Sequence, residues 1–192
     1  KIRQAAGSVS VQSVDVTDRP AVAQGLDSLI SEQGRLDILV NSFGINTRTR
    51  SWSDITYEAW DEVMAINLDG VYNVSKAVLP IMRRRQDGLI INISSLAGVR
   101  ASAIAGVHYG ASKAGVISLI RSVNVEEWEN GIRATVISPG EVWTPLLQRR
   151  PTPPPPERVP HLLQPQDLGQ VIAMLPPRAL IEELVIRPSR PK

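Results

Sequence analysis

Tyr109 and Lys113 lie four positions apart in the segment Tyr109-Gly110-Ala111-Ser112-Lys113. On a helix, side chains at this spacing share one face and are one turn apart. A tyrosine phenol is ordinarily a weak acid with a pKa of about 10. A nearby ammonium favours the phenolate and lowers that pKa, so the pattern predicts that Tyr109 exchanges a proton near neutral pH. The alternative is an ordinary Tyr–Lys pair on a helix surface.

Polar and turn residues follow three of the apolar runs that we predict as strands. In chain order, these residues are Asn41-Ser42-Phe43-Gly44, Ser94-Ser95 and Pro139-Gly140. In an open parallel sheet, ligands bind beyond the carboxyl ends of the strands. We therefore expect the three groups to meet the Tyr109–Lys113 pair at one edge of a sheet.

Four short apolar runs are predicted to form the strands that position these residues. They are Asp37–Val40, Leu89–Ile93, Ala134–Ile137 and Glu183–Ile186. The runs are nearly continuous rather than alternating, as expected of strands that are covered on both faces by helices. A fifth segment, Ser8–Val16, alternates less regularly, and we expect it to be a strand without a partner.

Helical periodicity predicts helices over about 20–33, 56–85, 108–129 and 166–175. Asp18 is expected to cap the first of these and Gly34 to end it. The second is expected to bend around Gly70 and Pro80. Alternating strands and helices are typical of an α/β fold, a doubly wound parallel sheet with helices on both faces. The length suits one domain over residues 1–192.

Composition excludes several classes of function. The net charge is only +2, and the single basic run, Arg83-Arg84-Arg85, suits a helix C-terminus, so nucleic-acid binding is not expected. The absence of cysteine excludes disulfides and thiol catalysis, and two distant histidines, His108 and His161, do not favour a metal site. No apolar run reaches the roughly 18 residues that span a bilayer. We expect a cytoplasmic protein.

Residues 145–165 form a proline-rich segment. Proline lacks the N–H that a strand or helix interior needs, so we expect a loop or polyproline II stretch there. A long loop inside an α/β domain often serves a site, and we predict a flexible lid. Recruitment of a proline-reading partner domain is the alternative.

Taken in order, these motifs resemble the short-chain dehydrogenase/reductase family over essentially the whole chain. Tyr109 and Lys113 match the family's Tyr-x-x-x-Lys pair. Ser95 matches its catalytic serine, and Asn67 matches its catalytic asparagine. The resemblance also implies a set of residues that bind a nicotinamide cofactor. They are Asp15, Val16, Asn41, Gly44, Tyr109, Lys113, Pro139, Gly140, Val142 and Thr144.

The resemblance implies hydride transfer between a nicotinamide ring and an alcohol or carbonyl substrate. Tyr109 would donate a proton to the oxygen during reduction and remove it during oxidation. Ser95 would hydrogen-bond the same oxygen. Lys113 would lower the pKa of Tyr109 and hold the nicotinamide ribose, while Asn67 would anchor a water molecule. Structural alternatives remain: Ser95 as a helix cap, Asn67 as a residue of a helix bend and Asp15 as a turn former.

The chain departs from the family in two places. The family begins with a strand, a glycine-rich phosphate-binding turn, a helix and a second strand, whereas no Gly-x-x-x-Gly-x-Gly motif occurs here. We therefore expect an N-terminally incomplete fold in which Asp37–Val40 has one bare edge. Phe43 stands where the family has alanine, and it is expected either to narrow the site or to turn into the core.

These observations favour an NAD(P)-dependent oxidoreductase. The cofactor is expected to be NAD or NADP, and the tail Glu183–Pro188, which resembles family members that often use NADP, leans the choice toward NADP. The alternative is a catalytically impaired chain that acts as a scaffold or regulatory subunit. The resemblance also implies a homodimer or homotetramer.

Overall fold

The computed structural model describes residues 8–148 and 150–190 of the chain. Within these residues, four parallel strands form one sheet in the order β1-β2-β3-β4. The strands are β1 (Ile38–Asn41), β2 (Gly88–Ile93), β3 (Ile132–Pro139) and β4 (Glu183–Ile186). Ile90, near the centre of the sheet, pairs with Leu39 on one side and with Ala134 on the other. The predicted parallel α/β sheet is confirmed.

Helices connect the strands and cover the sheet. They are α1 (Arg19–Gln33), α2 (Tyr57–Met64), α3 (Gly70–Arg85), α4 (Leu96–Val99), α5 (Val107–Glu127), α6 (Pro145–Gln148) and α7 (Pro165–Ala173). Asp18 caps α1 as predicted, since its carboxylate accepts a hydrogen bond from the Ala21 N–H at 3.0 Å. Gly34 ends the helix in the left-handed conformation, with φ at 74°.

Apolar side chains pack on both faces of the sheet. On one face, Ile90 belongs to a cluster with Met82 of α3 and Val116 of α5. On the other face, its neighbours in β2, Leu89 and Ile91, pack with residues of α7. Successive residues of a strand point to opposite faces. The continuous apolar run of β2 is therefore explained by helices on both sides, and the three-layer arrangement is confirmed.

The long helical segment predicted over about 56–85 bends next to Gly70, as the sequence predicted, but the bend has a different cause. Residues Ala65–Asp69 form a π-helical turn between α2 and α3. Gly70 then begins α3 in close contact with the chain before α1: a β-carbon at this position would lie 2.7 Å from the Val16 side chain. Pro80 lies inside α3 without ending it. The extra turn, rather than the proline, divides the segment.

The prediction of a strand at Ser8–Val16 is wrong. No strand forms between residues 8 and 18 of the described chain, because a strand needs a neighbour for its backbone groups and the segment instead packs on helices. β1 is correspondingly at the edge of the sheet. Its side chains Ile38 and Val40 are 56% and 41% exposed, so the expected bare edge is observed within the described residues.

The strand limits also differ from the predicted ones. Asp37 precedes β1 instead of beginning it, and its carboxylate forms ion pairs with Arg35 and Arg85. Arg83 is paired with Glu127 of α5. Two arginines of the basic run at the end of α3, Arg83 and Arg85, therefore form ion pairs with other elements, so the run is not simply solvated. β3 extends beyond the predicted 134–137 at both ends.

Residues 145–165 are more regular than the predicted loop. They contain α6 and a 3-10 helix over Pro156–His161, while 151–155 are irregular. Proline fits the first turn of a helix because the N–H it lacks would be unpaired there. Motion of this segment as a lid stays a prediction. Among the described residues, no helix combines the length and apolar character that a bilayer crossing requires.

Candidate active site

The carboxyl ends of β1, β2 and β3 lie at one edge of the sheet because the strands are parallel. Two hydrogen bonds from side chains to backbone carbonyls connect this edge to α5. The Lys113 ammonium donates a hydrogen bond to the Ile93 carbonyl at the end of β2, at 3.1 Å. The Ser94 hydroxyl donates to the Lys113 carbonyl at 2.8 Å. The predicted meeting with the Tyr109–Lys113 helix is confirmed for the end of β2.

Lys113 is buried at the centre of this edge, with 3% of its surface exposed. Burial disfavours the ammonium and lowers the pKa of Lys113 from 10.5 to about 8. Among the described residues, its nitrogen has one hydrogen-bond acceptor, the Ile93 carbonyl, although an ammonium carries three N–H groups. The unused donors are available to a bound molecule that offers hydroxyl groups.

Tyr109 and Lys113 lie on the same side of α5, with the ammonium 5.7 Å from the centre of the phenol ring. The predicted lowering of the Tyr109 pKa is wrong, because burial of the ring raises this pKa. Two smaller effects oppose burial: the Ser95 hydroxyl and the positive charge of Arg50. Arg50, a residue that the sequence did not single out, thus contributes a positive charge that favours the phenolate.

Ser95 has one of the two roles that the sequence left open, the helix cap, while its catalytic role stays a prediction. Its hydroxyl oxygen accepts a hydrogen bond from the Ala97 N–H at 3.2 Å and so caps α4. The same hydroxyl acts on the Tyr109 phenol, whose pKa it lowers. A hydroxyl accepts and donates at once, so the cap leaves its proton free for an oxygen near Tyr109.

Asn67 lies in the π-helical turn and is completely buried. Its amide holds the chain after β1, accepting from the Ile45 N–H at 2.8 Å and donating to the Ile45 carbonyl at 3.0 Å. These bonds bring Gly44 close to the site: a β-carbon there would lie 3.1 Å from the Asn67 oxygen and 3.3 Å from the Lys113 nitrogen. The structure therefore brings Gly44, Asn67 and Lys113 together.

Asn41 and Phe43 are turned into the protein. Asn41 is 3% exposed, and its amide donates to Asn92 of β2 at 2.8 Å. Phe43 packs against the main apolar cluster and lies over Gly70. Phe43 thus takes the second of its two expected positions, the core. A direct role of Asn41 in cofactor binding stays a prediction.

Asp15 and Val16 form a turn before α1. The Asp15 carboxylate accepts hydrogen bonds from the N–H and the hydroxyl of Thr17, both at 2.8 Å, and they lower the pKa of Asp15. The Val16 carbonyl accepts a hydrogen bond from Asn73 of α3 at 3.0 Å. The turn-forming alternative for Asp15 is observed, while contact with a cofactor stays a prediction for both residues.

The chain after β3 is held by its neighbours rather than by the Tyr109 group. The Gly140 N–H donates to Ile186, the last residue of β4, at 2.7 Å. Val142 forms an isolated bridge with Leu163, and the Thr144 carbonyl accepts from the first turn of α6. Pro139 is the final residue of β3. Cofactor binding by Pro139, Gly140, Val142 and Thr144 stays a prediction.

Sequence reasoning missed the residues that fix the position of Lys113. A β-carbon on Gly98 would lie 2.6 Å from the Lys113 carbonyl carbon, so α4 packs backbone to backbone on α5. Ser112, fully buried, accepts a hydrogen bond from Asn67 at 3.2 Å. The available signal was the small size of Gly98 and Ser112 near a strand end and beside Lys113.

Comparisons with known proteins show which family the chain belongs to. A family model described as short chain dehydrogenase matches residues 1–154. The chain is 35% identical over 145 residues to the 3-oxoacyl-(acyl-carrier-protein) reductase FabG of Thermotoga maritima, which covers 76% of this chain and 58% of that protein. It is 36% identical over 175 residues to the oxidoreductase UcpA of Escherichia coli K12, which covers 90% and 63%. The chain spans less than two thirds of the length of these curated relatives.

A solved structure supports the same assignment. The crystal structure of a metagenomic short-chain oxidoreductase in complex with NADP superposes with a TM-score of 0.81 at 27% identity, covering 98% of this chain and 78% of that one. The family model, the identities to curated relatives and this superposition all indicate the same family. The chain therefore belongs to the short-chain dehydrogenase family.

Proposed function

We propose that the chain is the catalytic part of an NAD(P)-dependent oxidoreductase that acts on an alcohol or carbonyl compound. The observation that carries the proposal is the buried ammonium of Lys113 beside Tyr109, with the Ser95 hydroxyl acting on the same phenol. The curated relatives named above are a reductase and an oxidoreductase, which favours an enzyme over a scaffold.

Each of these residues has a defined part in the proposed reaction. Tyr109, whose pKa is raised by burial, is protonated at neutral pH and is ready to donate its proton to a substrate oxygen. Ser95 donates a hydrogen bond to that oxygen and stabilises its developing negative charge. Lys113 stabilises the phenolate that remains after proton transfer. In the direction of oxidation, the same groups act in reverse order.

The donor set fits a nicotinamide nucleotide. The unused N–H groups of Lys113 suit the hydroxyls of a ribose, and Gly44 offers no side chain that would block approach to them. When bound, the cofactor supplies or accepts the hydride. NADP is the favoured form, because the superposed oxidoreductase structure contains NADP. Asp15, Val16, Pro139, Gly140, Val142 and Thr144 are the further proposed contacts.

The test is nicotinamide absorbance turnover on a panel of ketones and alcohols, for the 192-residue chain and for any longer natural form. We expect Tyr109→Phe to reduce kcat by at least about a hundredfold, since general acid–base catalysis contributes roughly 10²–10⁴. The matched control is Tyr57→Phe, an exposed tyrosine at the start of α2. Full turnover by Tyr109→Phe would contradict the assigned role.

The assembly and the cellular location belong to the same proposal. The family resemblance favours a homodimer or homotetramer, and Tyr72 of α3 and Val125 of α5 are exposed apolar side chains suited to an interface, at 43% and 77% exposure. Light scattering after gel filtration tests the assembly, and a monomer at all concentrations would contradict it. We propose a cytoplasmic location, which cell fractionation tests.

A further inference from the structure

Arg50 lies in the chain between β1 and α2 and is clamped against the segment that leads into α5. Its Nε donates to the Thr47 carbonyl at 2.7 Å, and its Nη1 donates to the Ile104 carbonyl at 2.8 Å. Its own carbonyl accepts from the Val107 N–H, the first residue of α5, at 3.3 Å. A β-carbon on Gly106 would lie 2.7 Å from the Arg50 β-carbon. These contacts fix Arg50 against the start of α5, two residues before Tyr109.

The charge of Arg50 is not neutralised by a carboxylate among the described residues. Its observed acceptors are carbonyl oxygens, although it is partly buried. The arginines that do form ion pairs within the described ranges are Arg35, Arg83, Arg85, Arg121, Arg150 and Arg158. Removing a cation from water without an opposite charge is unfavourable, so this position is suited to an external anion.

A second guanidinium increases the positive charge near Arg50. Burial, and then the charge of Arg150, lower the pKa of Arg50. Arg150 shares one carboxylate, Glu141, with Arg158, at 2.6 Å and 2.7 Å. One carboxylate thus serves two arginines, and Arg50 adds a third positive charge.

Neighbouring His108 does not add to this charge. It is fully buried, and burial together with Arg50 lowers its pKa, so it is neutral. Thr47 donates its hydroxyl proton to the Thr49 carbonyl and therefore accepts from His108 Nε2, at 2.7 Å. This contact holds the Arg50 loop against α5. His108 therefore adds no positive charge beside Arg50.

We propose that Arg50 binds a carboxylate or phosphate of the substrate while Tyr109 and Ser95 hold its reacting oxygen. The proposal rests on the oxidoreductase function proposed above and names the class of substrate as an anionic alcohol or carbonyl compound. A guanidinium carries a permanent positive charge, and its N–H groups form charge-assisted hydrogen bonds to the oxygens of a carboxylate or phosphate. Two of the Arg50 nitrogens already donate to carbonyls, and the third, Nη2, is oriented by them.

Matched pairs of ligands test the proposal without requiring turnover. Calorimetry or Arg Nε–H NMR follows the binding of 3-oxobutanoate against its methyl ester, and of dihydroxyacetone phosphate against dihydroxyacetone. We expect at least one anion to bind about tenfold or more tightly than its neutral counterpart, as a hydrogen bond to a charged group provides. A preference within the 3-oxobutanoate pair would indicate that a carboxylate is recognised, and a preference within the dihydroxyacetone pair would indicate a phosphate. Equal binding within both pairs would overturn the proposal.

Variants separate ligand binding from a structural role. Arg50→Gln should abolish the preference for the anion, Arg50→Lys should retain part of it, and Arg48→Gln, an exposed position on the same loop, should not alter it. Unchanged preference in Arg50→Gln would overturn the inference. If Arg50→Gln does not fold, the ligand pairs on the unmodified chain and on Arg50→Lys still decide the question.

Turnover then distinguishes the two proposals. Turnover of neutral ketones by a variant that has lost its anion preference would support both. If no carbonyl compound is turned over by any form, the oxidoreductase function fails, while the binding experiment still decides whether Arg50 recognises an anion. If neutral and anionic ketones are turned over with equal kcat/KM, the oxidoreductase function stands and the role of Arg50 is rejected.

Discussion

The backbone of Gly98 lies directly against the backbone of Lys113: a β-carbon on Gly98 would be 2.6 Å from the Lys113 carbonyl carbon and 2.7 Å from its oxygen. This contact sets the distance between α4, which begins at the Ser95 cap, and α5, which carries Tyr109. The relative position of the serine and the tyrosine therefore depends on a glycine that takes no part in the chemistry.

Gly98→Ala should destabilise the protein by about 1–3 kcal/mol, because the added methyl group meets backbone atoms that cannot move independently. Chemical denaturation measures the change. The matched control is Gly169→Ala in α7, where a β-carbon meets nothing within 4 Å. There, the better helix propensity of alanine should stabilise by about 0.5–1 kcal/mol. Equal effects at the two glycines would show that the α4–α5 contact is not tight.

Because of Lys113, the free energy of unfolding should depend on pH in the alkaline range. Its folded pKa, about 8, is below its ordinary value of 10.5 because of burial, so between these values the unfolded chain holds the proton that the folded chain has released. Stability contributed by this residue therefore rises as pH increases through that window. Urea denaturation at intervals from pH 7 to 10 measures it.

Lys113→Met should remove this alkaline rise and, at pH 7, stabilise the fold by about 1–3 kcal/mol, because no buried charge remains. The same variant should lose activity. Lys76→Met, on α3, is the control and should leave the pH dependence as it is. Parallel stability curves for the Lys113→Met variant and the unmodified chain would contradict the assigned burial effect.

Substitutions at Ser95 should separate its helix-capping role from its hydrogen bond to the substrate. Ser95→Ala loses both functions, and the lost cap should cost about 1 kcal/mol of stability. Ser95→Asn keeps a capping side chain but not the hydroxyl, so it should restore stability without restoring kcat. Thermal unfolding and turnover, measured side by side, test this. Recovery of full activity in Ser95→Asn would mean that the serine acts only as a cap.

Glu141 should hold the proline-rich segment in place. Burial by itself would raise its pKa, but hydrogen bonds from Arg150 and Arg158 outweigh burial and lower it. A carboxyl group with a lowered folded pKa stabilises above its ordinary value of 4.5, and this contribution is lost as pH falls through the folded pKa. We expect the segment to loosen in acid before the sheet unfolds.

Glu141→Gln should increase amide hydrogen exchange in residues 150–161 at neutral pH and should cost about 1–3 kcal/mol, the effect of breaking partly buried charged hydrogen bonds. Glu157→Gln changes an exposed residue of the same segment and should have little effect. Unaltered exchange in the Glu141 variant would show that other contacts hold the segment.

The sequence alone determined the elements whose signals are local. The apolar run of β2, the cap at Asp18, the end of α1 at Gly34 and the shared helix face of Tyr109 and Lys113 each depend on a few adjacent residues. Periodicity and capping chemistry operate over one or two turns, so they could be recognised without coordinates. The meeting of the strand ends followed from their parallel order.

Only the tertiary structure decided the properties that depend on what surrounds a group. The Tyr109 pKa is raised and not lowered, because burial outweighs nearby charge, and burial is a result of packing. Ser8–Val16 does not form a strand, because a strand requires a neighbour and not only a pattern. Arg50 is distant from Tyr109 in the sequence, and the contacts of its loop with the start of α5 bring its charge to the phenol.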